Sequence, residues 1–277
     1  MGNVVPSAVN VSGTTRVYAV LGYPVAQVRA PGLLNPLFAD LGKDAVLVPV
    51  HVRPEAFSEV VQGLRRIENL DGMLVTVPHK AQAMKCADEV SPTARIAGAV
   101  NALRRNEDGR WYGENFDGTG FVAGLTSAGH TPAGKNIAMS GAGGAGSAIA
   151  AALLSAGAAH LYLRDPDKGR LRSLIARLGR RWPGRTTGVA GPPAPADVDI
   201  AVNATPLGMR PDDPLPFSPH LLRPGAVVVD VIMKPKQTAL LTAAAELGLP
   251  ILHGTHMLDN QLDLYRDFFR LDAPART

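Results

Sequence analysis

The stretch NIAMSGAGGAGSAIAAALLSAG, residues 136 to 157, carries the most informative local pattern in the chain. An apolar segment typical of a buried strand ends at Ser140, and an alanine-rich segment typical of a helix follows. Between them Gly141, Gly143 and Gly146 have the spacing G-x-G-x-x-G. Glycines there permit a tight turn and let backbone N–H groups approach a pyrophosphate at the positive end of the helix. The stretch therefore predicts a strand, turn and helix that bind a nucleotide.

A second predicted strand, HLYLRD, ends in an acid at the position where such a unit binds ribose. Asp165 lies 19 positions after Gly146 (165 − 146), and a carboxylate there accepts hydrogen bonds from the ribose hydroxyls and repels a 2′-phosphate. NAD is therefore the predicted cofactor, and NADP stays an alternative because Arg164 can bind a phosphate. The predicted cofactor-binding residues of this unit are Gly141, Gly143, Gly144, Ala145 and Asp165.

Strand-like and helix-like segments alternate along almost the whole chain. This alternation predicts an α/β fold of parallel sheets covered by helices. A segment at 109–113 is expected to pair with strand 99–103 as an edge hairpin, 191–197 to be a surface loop and 1–14 a loose tail. The predicted strands are 17–21, 45–50, 73–77, 99–103, 136–140, 160–164, 200–203 and 227–231, and the predicted helices are 33–41, 54–67, 79–87, 118–128, 145–156, 168–178 and 237–247.

Composition narrows the class of protein. The 277 residues are 46% hydrophobic, enough for two modest domains or one large one. A net charge of +4 without a charged run, and 5% aromatic residues, predict no nucleic-acid surface. One cysteine, Cys86, excludes an internal disulfide and fits a reducing compartment. We predict a cytoplasmic protein, monomeric or homodimeric, with no membrane partner. No His, Cys, Asp or Glu cluster has metal-ligand spacing, so no metal is predicted.

Two charged residues begin predicted helices elsewhere in the chain. Lys80 lies in the first turn that follows DGMLVTVP, and Asp117 lies between a turn and a helix in GENFDGTGF. A carboxylate can orient a lysine, and the two together can exchange a proton with a substrate hydroxyl. Either residue alone is more often a solvated charge than a catalyst.

Six motifs in a fixed order make the chain resemble the shikimate/quinate dehydrogenase family from Gly22 to about Gln261. The motifs are VTVPHK, AGAVNAL, GENFDGTG, GAGGAG, NATPLGM and HMLDNQ. The resemblance implies a substrate-binding domain of residues 1–117 completed by a C-terminal helix at 253–277. It implies a Rossmann-type, doubly wound NAD(P)-binding domain at 118–252 between these two parts.

The resemblance also implies roles for individual residues. Lys80 and Asp117 would be the catalytic pair, which exchanges a proton with the substrate oxygen while hydride passes to or from the nicotinamide. The residues implied to contact substrate are Thr76, Asn101 and Gln261. Those implied to line the cofactor site are Asn203, Thr205 and Pro206 in the loop beside the cofactor, with Val231 and Gly254 on the nicotinamide side.

The loop GYPVAQVRAP, residues 22 to 31, departs from the family pattern. In the family a Ser-x-Ser-Pro loop binds the substrate carboxylate through its hydroxyls, and here those positions are Val28 and Ala30. Where the family has a tyrosine that assists the same carboxylate, this chain has Met233. Where the family has an asparagine, it has Leu74. None of these four side chains can hydrogen-bond a carboxylate. Burying a carboxylate against them unpaired costs several kcal/mol.

The altered loop leaves three interpretations open. Arg29 either binds a carboxylate in place of the missing hydroxyls or points outward, and His256 either contacts substrate or only packs. A divergent dehydrogenase would act on a cyclic hydroxy acid or polyol and turn over shikimate weakly or not at all. An ordinary shikimate dehydrogenase would have rebuilt its pocket around Arg29. A nucleotide-binding regulatory protein would not need both Lys80 and Asp117, so an enzyme is favoured.

Overall fold

A computed structural model describes residues 11–191 and 197–273, which form two six-stranded sheets with helices against them. Most of the predicted tail and of the predicted loop at 191–197 lies outside the described residues. The α/β fold class is confirmed, and the two sheets follow one another along the chain.

The first sheet has the strand order β2-β1-β3-β5-β6-β4. Its elements are β1 (Arg16–Gly22), α1 (Ala30–Asp40), β2 (Ala45–His51), α2 (Phe57–Leu64), β3 (Leu70–Val75), α3 (Lys80–Ala83), β4 (Glu89–Val90), α4 (Pro92–Ala97), β5 (Ala102–Arg105) and β6 (Trp111–Glu114). The alternation predicted parallel strands, and β1 is indeed parallel to β2 and β3.

This sheet is mixed: β5 and β6 form the predicted antiparallel hairpin, and β5 is also antiparallel to β3, which the alternation did not predict. The five residues between β5 and β6 are too few for a crossover, so the chain must reverse. The predicted pairing of these two segments is found. However, β6 is not an edge, since β4 pairs with its other side.

The second sheet is parallel throughout, with the order β12-β11-β10-β7-β8-β9. The strand order reverses between β7 and β10, the position at which doubly wound sheets bind ligands beyond the carboxyl ends of their strands. Its elements are β7 (Asn136–Ser140), α6 (Gly144–Ser155), β8 (His160–Arg164), α7 (Lys168–Gly179), β9 (Thr186–Gly188), β10 (Ile200–Asn203), β11 (Val227–Asp230), α8 (Ala239–Glu246) and β12 (Ile251–Leu252).

Helix α5 (Asp117–Ser127) connects the two sheets and packs tightly against α6. Gly118 makes this packing possible, because a Cβ atom there would lie 2.3 Å from the carbonyl oxygen of Ala148. On another side α5 contacts α9 (Thr255–Asp259). Asp117 therefore lies where the first sheet, α6 and the C-terminal segment meet.

The C-terminal segment is two helices rather than the single one predicted at 253–277. Helix α9 ends at Asp259, and α10 (Leu262–Phe268) follows. Aromatic side chains of α10 and the turn after it are buried in the core of the first sheet, where Phe269 contacts Tyr18 edge-on at 5.1 Å between ring centroids. The last helix thus completes the core that the first strands begin.

Shorter elements depart from the predicted bounds. The helix expected at 79–87 is only α3 followed by a 3-10 turn at Met84–Cys86, and the helix expected at 54–67 begins as a 3-10 turn at Pro54–Ala56. Helix α4 was not predicted, because six residues are too few to display a helical period. Its signal is local: the Ser91 hydroxyl caps it by accepting the Ala94 N–H.

Candidate active site

Lys80 and Asp117 meet in a direct ion pair. The Lys80 Nζ lies 2.7 Å from the Asp117 Oδ2, and both side chains are largely buried. Lys80 is the first residue of α3 and Asp117 the first of α5, so each side chain is held by the start of a helix. Burial makes the pair stronger than a surface ion pair, because less water screens it.

Asn101 holds the other oxygen of the carboxylate. Its Nδ2 donates to the Asp117 Oδ1 at 3.0 Å, while its Oδ1 accepts the Phe116 N–H at 2.9 Å. The Asp117 N–H in turn donates to the Asn115 side chain at 3.0 Å. These bonds fix the carboxylate, so the remaining N–H groups of Lys80 can face a substrate oxygen.

Gln261 supplies a buried amide beside α5. Its Oε1 accepts the Tyr265 O–H at 2.5 Å, and its Nε2 is buried without a hydrogen-bond partner. Burial, and then the charge of Asp117, raise the pKa of Tyr265 well above its ordinary value, so the phenol stays a donor. The family resemblance predicted Gln261 but not Tyr265. The signal that the sequence offers for Tyr265 is its position four residues after Gln261.

A Tyr265→Phe variant tests whether the phenol orients the Gln261 amide. Without the O–H donor the amide can rotate, and we expect KM to rise about fivefold to tenfold with a smaller change in kcat. The loss of one hydrogen bond to a buried acceptor sets that magnitude. Steady-state kinetics on the best substrate measures it, and an unchanged KM would contradict the assignment. Tyr162→Phe, on β8 of the other sheet, is the matched control.

The residues that replace the family's carboxylate-binding groups are brought together by the structure. Val28, Ala30, Leu74 and Met233 belong to or pack against one apolar cluster, together with Leu258. Thr76 follows β3, next to Gly22. Three of the seven predicted substrate residues, Val28, Ala30 and Met233, therefore lie with Leu74 in an apolar cluster. Val28 and Met233 are its partly exposed members and form its apolar surface.

The Arg29 side chain is 37% exposed and faces the carboxylate of Asp259, whose side chain is 50% exposed. The Arg29 Nη1 lies 3.4 Å from the Asp259 Oδ1, and that nitrogen is buried without a hydrogen-bond acceptor. His256 is half-buried and stacks on His253 with 4.5 Å between ring centroids. His79, beside Lys80 in sequence, points into the core and stacks on Phe57.

The glycine turn after β7 approaches the catalytic pair. Gly141 has a φ of +107°, and a Cβ at Gly146 would lie 2.1 Å from the Gly141 carbonyl oxygen. A Cβ on Gly144 would lie 2.8 Å from the Cβ of Lys80. The narrow turn ahead of α6 fits a dinucleotide, because backbone N–H groups there can approach a pyrophosphate.

Asp165 organises this turn. Its Oδ2 accepts the Ala142 N–H at 2.7 Å and its Oδ1 accepts the Asp167 N–H at 2.8 Å, with only 4% of the side chain exposed. The sequence predicts only that Asp165 binds ribose, whereas these two bonds give its carboxylate a structural role in the turn as well. Arg164, the competing phosphate ligand, donates instead to the Pro216 carbonyl at 3.1 Å.

The loop after β10 is built by side-chain bonds. The Asn203 Oδ1 accepts the N–H of Thr205 at 3.0 Å and its hydroxyl at 2.7 Å, just before Pro206. The Asn203 Nδ2 donates to Asp230, whose pKa is raised by burial. Beyond Asp230, the carbonyl oxygen of Val231 would lie 2.3 Å from a Cβ on Gly254. The predicted cofactor residues thus lie at the carboxyl ends of β7, β8, β10 and β11 and at the start of α6, with Gly254 at the start of α9.

Within the described ranges, no group of three or more His, Cys, Asp or Glu side chains could hold a metal ion. No helix in that part of the chain has the length and apolarity to cross a membrane.

The chain matches known proteins over nearly its whole length. Residues 20–103 match the family model described as the shikimate dehydrogenase substrate-binding domain. The shikimate dehydrogenase (NADP(+)) of Rubrobacter xylanophilus is 42% identical over 258 residues, which cover 91% of this chain and 89% of that protein. The shikimate dehydrogenase (NADP(+)) of Rhodospirillum rubrum is 38% identical over 91% of this chain and 90% of its own.

Solved structures are similar over both sheets. Shikimate dehydrogenase from Aquifex aeolicus has a TM-score of 0.85 at 31% identity and 96% coverage of both chains. The 5-ketofructose reductase of a Gluconobacter strain has a TM-score of 0.79 at 30% identity and 92% coverage of both. Quinate dehydrogenase from Corynebacterium glutamicum, solved with NAD, has a TM-score of 0.80 at 27% identity and 93% coverage of both.

Proposed function

The chain belongs to the shikimate dehydrogenase family, and on that premise we propose that Lys80 and Asp117 are its catalytic pair. It is an NAD(P)-dependent oxidoreductase that acts on CH–OH groups. The observation that carries the proposal is the 2.7 Å contact between the Lys80 Nζ and the Asp117 Oδ2, held from behind by Asn101. A buried pair of opposite charge at the mouth of a nucleotide-binding turn is suited to proton exchange.

The residues of this chain supply the proton and the orientation. When bound, the nicotinamide gives or accepts the hydride. In the reducing direction Lys80 donates a proton to the substrate oxygen as the C=O bond becomes C–OH, and Asp117 keeps the ammonium aimed at that oxygen. In the oxidising direction the same nitrogen takes the proton of the hydroxyl. Asn101 and Gln261 place polar groups around the reacting ring or chain, as does Thr76.

The substrate is a small polyhydroxylated alcohol or its ketone. Relatives are named for shikimate, quinate and 5-ketofructose, which share adjacent oxygen-bearing carbons. The apolar cluster of Val28, Ala30, Leu74 and Met233 replaces the groups to which the resemblance assigns carboxylate binding, so we expect poor turnover of shikimate itself. This expectation distinguishes a divergent enzyme from an ordinary shikimate dehydrogenase.

We keep the division into a substrate-binding part, 1–117 with 253–277, and a nucleotide-binding part, 118–252. The burial of α10 aromatic residues in the core of the first sheet supports this assignment of the C-terminal segment. We also keep the proposal of a cytoplasmic enzyme that works as a monomer or homodimer. Burial raises the pKa of the half-buried Cys86 thiol, and a protonated thiol fits a reducing compartment.

NAD is the cofactor that the local charges favour, although many relatives carry NADP in their names. Asp165 and Asp167 place two carboxylates after β8, where a 2′-phosphate would lie. The Arg170 guanidinium faces both carboxylates, with its Nη1 3.6 Å from the Asp165 Oδ2 and its Nη2 3.7 Å from the Asp167 Oδ2.

An Asp167→Ser variant tests this preference without removing the helix cap, because the serine hydroxyl can accept the Arg170 N–H that Asp167 now accepts. Removing one negative charge should raise kcat/KM for NADP relative to NAD by about threefold to tenfold. Rates with both cofactors measure the ratio. If the unmodified enzyme already favours NADP, the assignment of these carboxylates to cofactor choice is wrong.

Initial rates test the function as a whole: shikimate, quinate and a panel of ring polyols are assayed with NAD and NADP, and 5-ketofructose with NADH and NADPH. We expect turnover of at least one polyol or polyol ketone that disappears in a Lys80 variant. A protein that binds NAD(P) but turns over none of these compounds would contradict the proposed function and favour a regulatory role.

A further inference from the structure

We infer that this enzyme selects substrates that lack a carboxylate: uncharged polyhydroxylated alcohols and ketones. The inference rests on the proposed function and names the substrate class of the same site. It is carried by the Arg29–Asp259 ion pair together with the apolar surface beside it.

The apolar surface offers a carboxylate none of the hydrogen-bond donors that it needs. Val28, Ala30, Leu74 and Met233 pack with Leu258 in one cluster and offer no side-chain donor. A carboxylate pressed against this surface would lose its water without gaining partners, which disfavours binding. A CH₂OH group or a bare ring carbon at the same place loses much less.

Arg29 does not simply replace the missing groups, because its guanidinium already faces the carboxylate of Asp259 in a partly exposed ion pair. Its Nη1 lies 3.4 Å from the Asp259 Oδ1, on the helix that ends two residues before Gln261. A substrate carboxylate bound to the guanidinium would lie beside the negative charge of Asp259, and like charges at such a distance repel.

Two ion pairs therefore belong to the proposed substrate region, Lys80 with Asp117 and Arg29 with Asp259. The buried Nη1 of Arg29 has no hydrogen-bond acceptor in the described structure. A neutral hydroxyl or carbonyl oxygen can accept from it without adding charge, so Arg29 retains a substrate-binding use in a site built for neutral ligands.

A matched pair of substrates tests the inference. The probes are shikimate and the alcohol in which its carboxylate is replaced by CH₂OH, which leaves the ring and its hydroxyls unchanged. We expect kcat/KM for the alcohol to exceed that for shikimate at least tenfold. In an Asp259→Asn variant, Arg29 gains a free charge, and the shikimate-to-alcohol ratio should rise at least fivefold. Asp263→Asn, an exposed acid on α10, is the control and should leave the ratio unchanged.

The outcomes separate this inference from the function on which it rests. Equal or faster turnover of shikimate, or a ratio that Asp259→Asn leaves unchanged, overturns the inference while the dehydrogenase assignment stands. Turnover of neither probe, with no activity on any other polyol or polyol ketone, overturns the proposed function and the inference together.

Discussion

Replacement of Lys80 by methionine is expected to lower kcat by about 10²- to 10⁴-fold, the usual contribution of a positioned acid or base. Methionine retains the length and the apolar stem of lysine but removes every N–H donor. Because Asn101 still holds Asp117, the surrounding structure should persist. Steady-state rates on the best substrate of the panel measure the loss, and KM should change much less than kcat.

Lys85→Met is the matched control, since this exposed lysine lies five residues on, in the 3-10 turn after α3. Its kcat should stay within twofold of the unmodified enzyme. Quenching of intrinsic fluorescence by NAD or NADP should show that both variants still bind cofactor. A Lys80→Met enzyme that retains more than a tenth of the original kcat would remove Lys80 from its catalytic role.

Replacement of Gly118 by alanine is expected to destabilise the protein by about 3 kcal/mol, the upper end of the usual overpacking range. The added methyl group would lie 2.3 Å from the Ala148 carbonyl oxygen and 2.7 Å from the Ala152 Cβ. A backbone carbonyl inside a helix cannot move aside as a flexible side chain can, so α5 and α6 must separate. Urea unfolding of the full chain measures the change in the free energy of unfolding.

Gly63→Ala provides the comparison for that measurement. Gly63 lies inside α2, where an added Cβ meets nothing within 4 Å. The same chemical change should there leave the protein unchanged or stabilise it by roughly 0.4–1 kcal/mol, because alanine restricts the unfolded chain. Equal effects of the two substitutions would mean that close helix packing at Gly118 is not what requires a glycine.

The best predictions from sequence concern structure that is local in the chain. The turn between β7 and α6 is specified by three glycines and the apolar segments around them, so the end of β7 was predicted at the right residue and the start of α6 to within one. The pairing of β5 with β6 was also visible, whereas the direction of β5 relative to β3 was not. That direction depends on how the long connection through α3, β4 and α4 returns the chain to β3, which the alternation pattern does not reveal.

The side-chain partners of the site could not be predicted, because they come from distant segments. The sequence left open whether Arg29 binds a carboxylate or points outward, and only the fold shows that Asp259 lies beside it. Asp165 was interpreted for a ligand alone, yet it also accepts two backbone N–H groups. Tyr265 had no family role, but it fixes the amide of Gln261. In each case the missing information is which two surfaces pack together.

The way α10 completes the first core has a consequence for how the protein is made. Strands β1 to β6 are synthesised first, but the aromatic residues of α10 that help to fill their core follow the second sheet in the chain. The parallel second sheet, by contrast, is built from one continuous run of residues and can close while synthesis continues. The substrate side is therefore finished after the nucleotide-binding sheet. A premature stop codon just before Gln261 would leave the nucleotide-binding sheet intact but the substrate side without its closing helix.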